Sequence, residues 1–145
     1  MRLYFDTSAL AKAYASERGS ADVDDFLARG TTVFLSDLNR VELRCMLARR
    51  LRSGEISAVQ EQAMWSQFLL DISNEFFEPI ALPASAWSVA TQLIDRVAPI
   101  ALRTLDALHV AMASALPAIT FVTADRAQRS AAQQLGMPTV GIALD

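Results

Sequence analysis

Four acidic residues stand out by their positions along the chain: Asp6, Glu42, Asp106 and Asp125. Asp6 closes the apolar run Leu3, Tyr4 and Phe5, and Asp125 lies just past Phe121, Val122 and Thr123. Glu42 sits among Val41, Leu43 and Met46, and Asp106 interrupts an otherwise apolar helical stretch. Acids in apolar company are uncommon without a partner. Each has an ordinary reading on its own. Asp6 and Asp125 read as helix caps, Glu42 as half of a pair with Arg40 or Arg44, and Asp106 as a first-turn acid. As a set they carry a different chemistry. Two carboxylates about 4 Å apart repel by ~4 kcal/mol at an effective dielectric near 20, so an empty cluster would hold extra protons at neutral pH. A divalent cation removes that penalty, and ligands that are all oxygen select hard Mg²⁺ or Mn²⁺ over zinc. Such a site can neutralise the charge that builds on a phosphodiester under attack by water. It needs no histidine, thiol or covalent intermediate.

The elements that must position these acids follow from patterning. Short β-rich runs alternate with helical stretches, which predicts an α/β fold with a central, mainly parallel sheet of about five strands flanked by helices. Strands are expected at 2–5, 31–35, 76–80, 119–123 and 138–142, the third at an edge because Pro79 cannot donate to a ladder. Helices are expected at 7–15, 21–28, 37–52, 57–73, 84–97, 105–115 and 124–135. Ser20 reads as the cap of the second, with Asp22, Asp24 and Asp25 in its first turn, and Gly30 closes it. Asp6 and Asp125 then fall just past the carboxyl ends of strands, where α/β folds place their sites.

Composition sets bounds. A chain of 145 residues with 52% hydrophobic content is expected to form a single domain, 1–145, around one sizeable core. No apolar run reaches the roughly 18 residues of a membrane span. The N-terminus meets an acid at once, which is unlike a secretory leader, so the expected location is the cytoplasm. Cys45 is the only cysteine, excluding an intrachain disulfide and a cysteine-based zinc site. Net charge is −3, yet Arg40, Arg44, Arg49, Arg50 and Arg52 crowd one helix around Glu42. Such a strip beside an acidic site suits phosphates, with Arg49 and Arg50 as candidate substrate contacts, but equally a solvated face or an acidic protein partner. Trp65 and Trp87 read as packing residues rather than base-stacking platforms.

At the acidic residues the sequence resembles PIN-domain proteins of the VapC toxin family, and the resemblance spans essentially the whole chain. Asp6-Thr-Ser-Ala-Leu10 is similar to the family's opening motif, and Ser36 followed by Val41-Glu42-Leu43 to its second acidic element. Leu105-Asp106-Ala-Leu-His109-Val-Ala111 and Thr123-Ala-Asp125 resemble the third and fourth. The resemblance implies a three-layer PIN fold, Mg²⁺ or Mn²⁺ dependence and endonucleolytic cleavage of RNA. It also implies a homodimer held in check by a VapB-type antitoxin. By position, Asp6, Glu42, Asp106 and Asp125 become metal-binding and catalytic, with Ser8 and Thr123 as supporting donors. Some family members carry a further acid after the fourth element, where Arg126 and Gln128 stand here, which leaves the number of metals open. His109 is one helical turn from Asp106 and within reach of it, and is expected to be a packed histidine.

Two rivals remain at this level. A haloacid-dehalogenase-like phosphotransferase would use Asp6 as nucleophile, but Ser8 stands where its second acid belongs and Lys12 is the only lysine. A non-catalytic PIN-like module would bind RNA or protein without cutting it.

Overall fold

The computed structural model describes residues 1–144. Strands β1 (Arg2–Phe5), β2 (Thr32–Ser36), β3 (Glu78–Ile80), β4 (Thr120–Thr123) and β5 (Thr139–Gly141) pair in the order β3-β2-β1-β4-β5, and every pairing is parallel. β3, with Pro79, is an edge strand as expected. Helices α1 (Thr7–Leu10), α2 (Ser20–Ala28), α3 (Asp37–Arg52), α4 (Ala58–Ser73), α5 (Ala86–Arg96), α6 (Thr104–Ser114) and α7 (Arg126–Gln134) flank the sheet.

The three layers follow from alternation along the central strands, where successive side chains point to opposite faces. Leu3, Phe5, Val33, Leu35 and Val122 face one core, filled by Leu10, Val23, Leu43, Leu47 and Phe68 from α1–α4. Tyr4, Phe34 and Phe121 face the other, with Ala90 and Leu93 of α5, Leu108 and Met112 of α6, and Ala132 of α7. Both faces are covered, which explains why these strands read as apolar runs rather than as alternating ones. None of the helices among the described residues is long and apolar enough to cross a membrane.

Several local expectations are corrected. The first helix is one α turn that tightens into a 3₁₀ turn at Ala11–Ala13. Ser20 does not cap α2. Gly19 holds that place at φ 91°, where a Cβ would lie 2.7 Å from Ile142. Ser20 Oγ instead accepts from the Glu17 amide and donates to the Ala15 carbonyl. Of the three acids, only Asp22 lies in the first turn of α2. The last helix starts at Arg126, two residues later than its pattern suggests, because Asp125 is its cap.

β1 and β4 are neighbours, and the chain leaves β1 in one direction across the sheet and β4 in the other. The carboxyl ends of this pair therefore open onto the crevice where parallel α/β sheets bind ligands.

Candidate active site

Asp6 leaves β1 in an extended conformation and caps α1, its Oδ1 accepting the Ala9 amide at 3.0 Å. Ser8 Oγ lies 2.8 and 2.7 Å from its two oxygens, and Thr123 Oγ1 donates to Oδ2 at 2.9 Å. The same hydroxyls bind the other strand end. Ser8 Oγ accepts the Ala124 amide and Thr123 Oγ1 the Asp125 amide, both at 2.9 Å. Asp6 is only 1% exposed. Burial raises its carboxyl above the usual range, while His109, the Ala9 amide and the two hydroxyls pull the other way. The cause is thus burial, whereas like-charge crowding is what the sequence led one to expect.

Asp125 caps α7 through Oδ1, which accepts the Gln128 amide at 2.8 Å. Asp106 sits in the first turn of α6, its Oδ2 accepting the Arg103 amide at 3.1 Å. Gln128 joins the two. Its backbone serves Asp125 while its Nε2 donates to Asp106 Oδ1 at 3.0 Å. The side chain is buried, and its Oε1 has no partner among the described residues. Sequence reasoning saw Gln128 only as a missing acid. A polar residue three places after a strand-end acid, among alanines, was the available signal.

Glu42 reaches in from α3. Its Oε1 accepts from Thr7 Oγ1 at 3.0 Å and contacts His109 Nε2. His109 is buried but does not turn to Asp106. Its Nδ1 lies 2.8 Å from the Tyr4 hydroxyl, which donates to Ser36 Oγ at 3.0 Å. Asn39, which the sequence did not single out, is fully buried behind this group. Its Oδ1 accepts the Ser36 amide at 2.8 Å, and its Nδ2 donates to the Phe5 carbonyl at 3.0 Å and to Thr7 Oγ1 at 3.3 Å.

All four acids line one open cleft of about 910 Å³, together with Thr7, Ser8, His109 and Gln128. Thr123 stands behind Asp6, fully buried. The arginine strip divides. Arg49, Arg50 and Arg52 line the cleft, whereas exposed Arg40 does not. Arg44 pairs with Glu61 and lies over Trp65 at 5.3 Å. Arg50 is held by Glu17 at 2.9 Å, and Lys12 by the same carboxylate at 3.2 Å. Burial pushes Glu17 up, but Arg50 and Lys12 outweigh it and hold the carboxyl below its usual range. Lys12, which also lines the cleft, donates through Nζ to the Arg18 carbonyl at 2.9 Å as well. Trp65 packs on Phe68, and Trp87 is exposed away from the cleft.

The acids gather in one cleft without forming a ready-made metal cage. Among the described residues no three His, Cys, Asp or Glu side chains converge closely enough to hold an ion between them. The donor set nevertheless fits a hard cation of the Mg²⁺ kind, which keeps several waters and needs only one or two direct carboxylates.

The PIN domain family model matches residues 3–134. Ribonuclease VapC47 of Mycobacterium tuberculosis is 31% identical over 143 residues, covering 94% of each chain. FitAcB from Neisseria gonorrhoeae superposes with a TM-score of 0.71 at 16% identity, over 96% of both chains. VapBC2 from Rickettsia felis, bound to a DNA fragment from its promoter, gives 0.66 at 19% identity, over 97% of this chain and 98% of that one. At these identities the two structures speak to the fold. The family match and the VapC47 alignment extend over nearly the whole length, acidic cleft included, and the chain belongs to the PIN domain family.

Proposed function

We propose that this chain is a divalent-metal-dependent endoribonuclease, the toxin of a VapBC-type pair, formed as a single PIN domain over residues 1–145 and acting in the cytoplasm. The observation that supports it most is the meeting of Asp6, Glu42, Asp106 and Asp125, from four separate stretches, in one cleft at the β1–β4 strand ends. The relative's name, ribonuclease, points the same way. Matches to VapBC2 and FitAcB favour a VapB-type antitoxin as partner, and the family resemblance implies a homodimer as the assembled form.

In this reading the four carboxylates would border a hydrated Mg²⁺, or Mn²⁺ in its place, one or two of them binding it directly and the others through its waters. When bound, the ion supplies Lewis acidity and offsets charge at the phosphodiester. The chain's own residues do the rest. Ser8, Thr123 and the Ala9 amide hold Asp6 rigid, so its oxygens need no reorganisation when RNA arrives. Carboxylate oxygens left without a protein donor are the acceptors that orient an attacking water. Arg49 and Arg50 face the backbone phosphates from the cleft wall.

The decisive experiment maps RNA ends produced by wild type and by Asp6→Asn, with Mg²⁺ and with EDTA. Cleavage confined to wild type with metal supports the reading, and metal-independent cleavage sinks it. Thermal melting gives an orthogonal check. At a metal concentration 100-fold above Kd the native state should gain about 2.7 kcal/mol by linkage. A melting curve blind to Mg²⁺ and Mn²⁺, with no cleavage, would instead indicate a non-catalytic PIN-like binding module.

The cationic wall carries its own prediction. Arg49 has no ion-pair partner among the described residues, whereas Arg50 is already engaged with Glu17. Arg49→Ala should weaken RNA binding and lower the slope of log K against log salt by about 0.7, the share of one phosphate contact on a single strand. An unchanged slope would remove Arg49 from the RNA path.

A further inference from the structure

Building on the role proposed for Glu42, we propose that His109 is a positioning residue, which pins Glu42 Oε1 so that Oε2 is the oxygen Glu42 presents to the cleft. The case rests on the direction of each hydrogen bond behind the site. Asn39 is the fixed point. Its Oδ1 must face the Ser36 amide, 2.8 Å away, and its Nδ2 the Phe5 carbonyl, 3.0 Å away, because a backbone N–H only donates and a carbonyl only accepts. With Nδ2 also donating to Thr7 Oγ1, the Thr7 hydroxyl proton is left for Glu42 Oε1. With Oδ1 accepting from Ser36 Oγ at 3.2 Å, that hydroxyl accepts in turn from Tyr4. The Tyr4 proton is thereby spent, and its oxygen receives His109 Nδ1–H. Nε2 then meets the Glu42 carboxylate as a donor only with a second ring proton, so the pair is an imidazolium facing a carboxylate.

The imidazole is anchored at both ends, by β1 through Tyr4 and by α3 through Glu42, and is 1% exposed. Tyr4 also meets the ring edge-on at 5.9 Å between centroids. Oε1 accepts from two side chains, whereas Oε2 has no protein partner among the described residues. Both nitrogens of His109 are committed, so the ring acts through Glu42 and not on RNA.

His109 is the only histidine, so its ring resonances need no assignment. A ¹⁵N-edited spectrum should show ring N–H signals protected from exchange. Glu42→Gln should shift the Nε2 signal more than the Nδ1 signal, and Tyr4→Phe the reverse. Turnover gives the second readout. His109→Leu should lower kcat by about 10–100-fold, the usual cost of losing a partner that orients a ligating group, with KM for RNA little changed. His109→Gln restores an N–H donor and should recover much of that loss. A merely packed histidine would rank these variants by stability, with no preference for the donor.

Equal turnover in His109→Leu and wild type, or a Nε2 signal blind to Glu42→Gln, would overturn the proposal. Should His109→Leu fail to fold, the spectra of wild type and Glu42→Gln still decide it. A wild type that cannot cleave RNA, yet whose Nε2 signal moves with Glu42→Gln, would sink the ribonuclease reading and support the positioning of Glu42.

Discussion

Asp6→Asn should lower RNA cleavage by about 10²-fold or more, the scale on which a positioned acid–base group contributes, while the fold survives. Asparagine has the shape of aspartate, and its Oδ1 can still accept the Ala9 amide. The hydroxyls of Ser8 and Thr123 can rotate to accept from its Nδ2. Removing the charge should also change stability in a way that depends on pH. Burial raises the Asp6 carboxyl in the native state above its value in the unfolded chain, about 3.9. Below that value both states are protonated and Asp6 exacts no penalty. As pH climbs above it the unfolded chain ionises first, so stability falls until the native carboxyl also titrates. The variant escapes this loss. In metal-free buffer its melting temperature should match wild type at acid pH and exceed it by a margin that widens as pH rises, until the native carboxyl ionises. A gap that stays constant or narrows with rising pH would contradict burial as the controlling influence, and full cleavage by the variant would remove Asp6 from the site.

Asn39→Ala should cost about 2–4 kcal/mol of unfolding free energy, although Asn39 touches no substrate. The Ser36 amide loses its side-chain acceptor and the Phe5 carbonyl and Thr7 hydroxyl lose a donor, all in the interior. Each buried group left unsatisfied costs about 1–3 kcal/mol, and some will find water. Asn39→Asp separates donor from shape. It keeps the acceptor for Ser36 but turns a carboxylate oxygen towards the Phe5 carbonyl, so it should also destabilise. Urea unfolding measures both variants. Arg40→Ala, on the exposed face of the same helix, should stay within about 0.5 kcal/mol of wild type. An Asn39→Ala midpoint equal to that of Arg40→Ala would show that the amide network does not hold the site together.

Local pattern made much of this molecule legible. The first strand lies where its apolar run places it, and α3 spans 37–52 as expected because Ser36 and the closing Ser53-Gly54 bracket an unbroken helical period. The four acids could be singled out because strand ends and apolar helices are unusual places for a carboxylate. For Asp6 and Asp125, cap and cleft-lining acid had looked like competing readings. Both hold: one oxygen can cap a helix while the side chain still borders the cleft.

The polar partners were not legible in the same way. Gln128 bridges Asp106 and Asp125, Asn39 joins β1 to β2, and His109 meets Tyr4 across 105 positions, and no local window contains both ends of the longer links. The arginines were equally ambiguous, since only folding brings Glu17 to Arg50 and Glu61 to Arg44. The sequence by itself determined the elements, the parallel α/β class and which carboxylates to examine, because these depend on period, caps and turn residues within a few positions. The tertiary structure alone decided which hydrogen-bond donors face those carboxylates and that burial shifts Asp6, because solvation and donor geometry arise only when distant segments close around the same atoms.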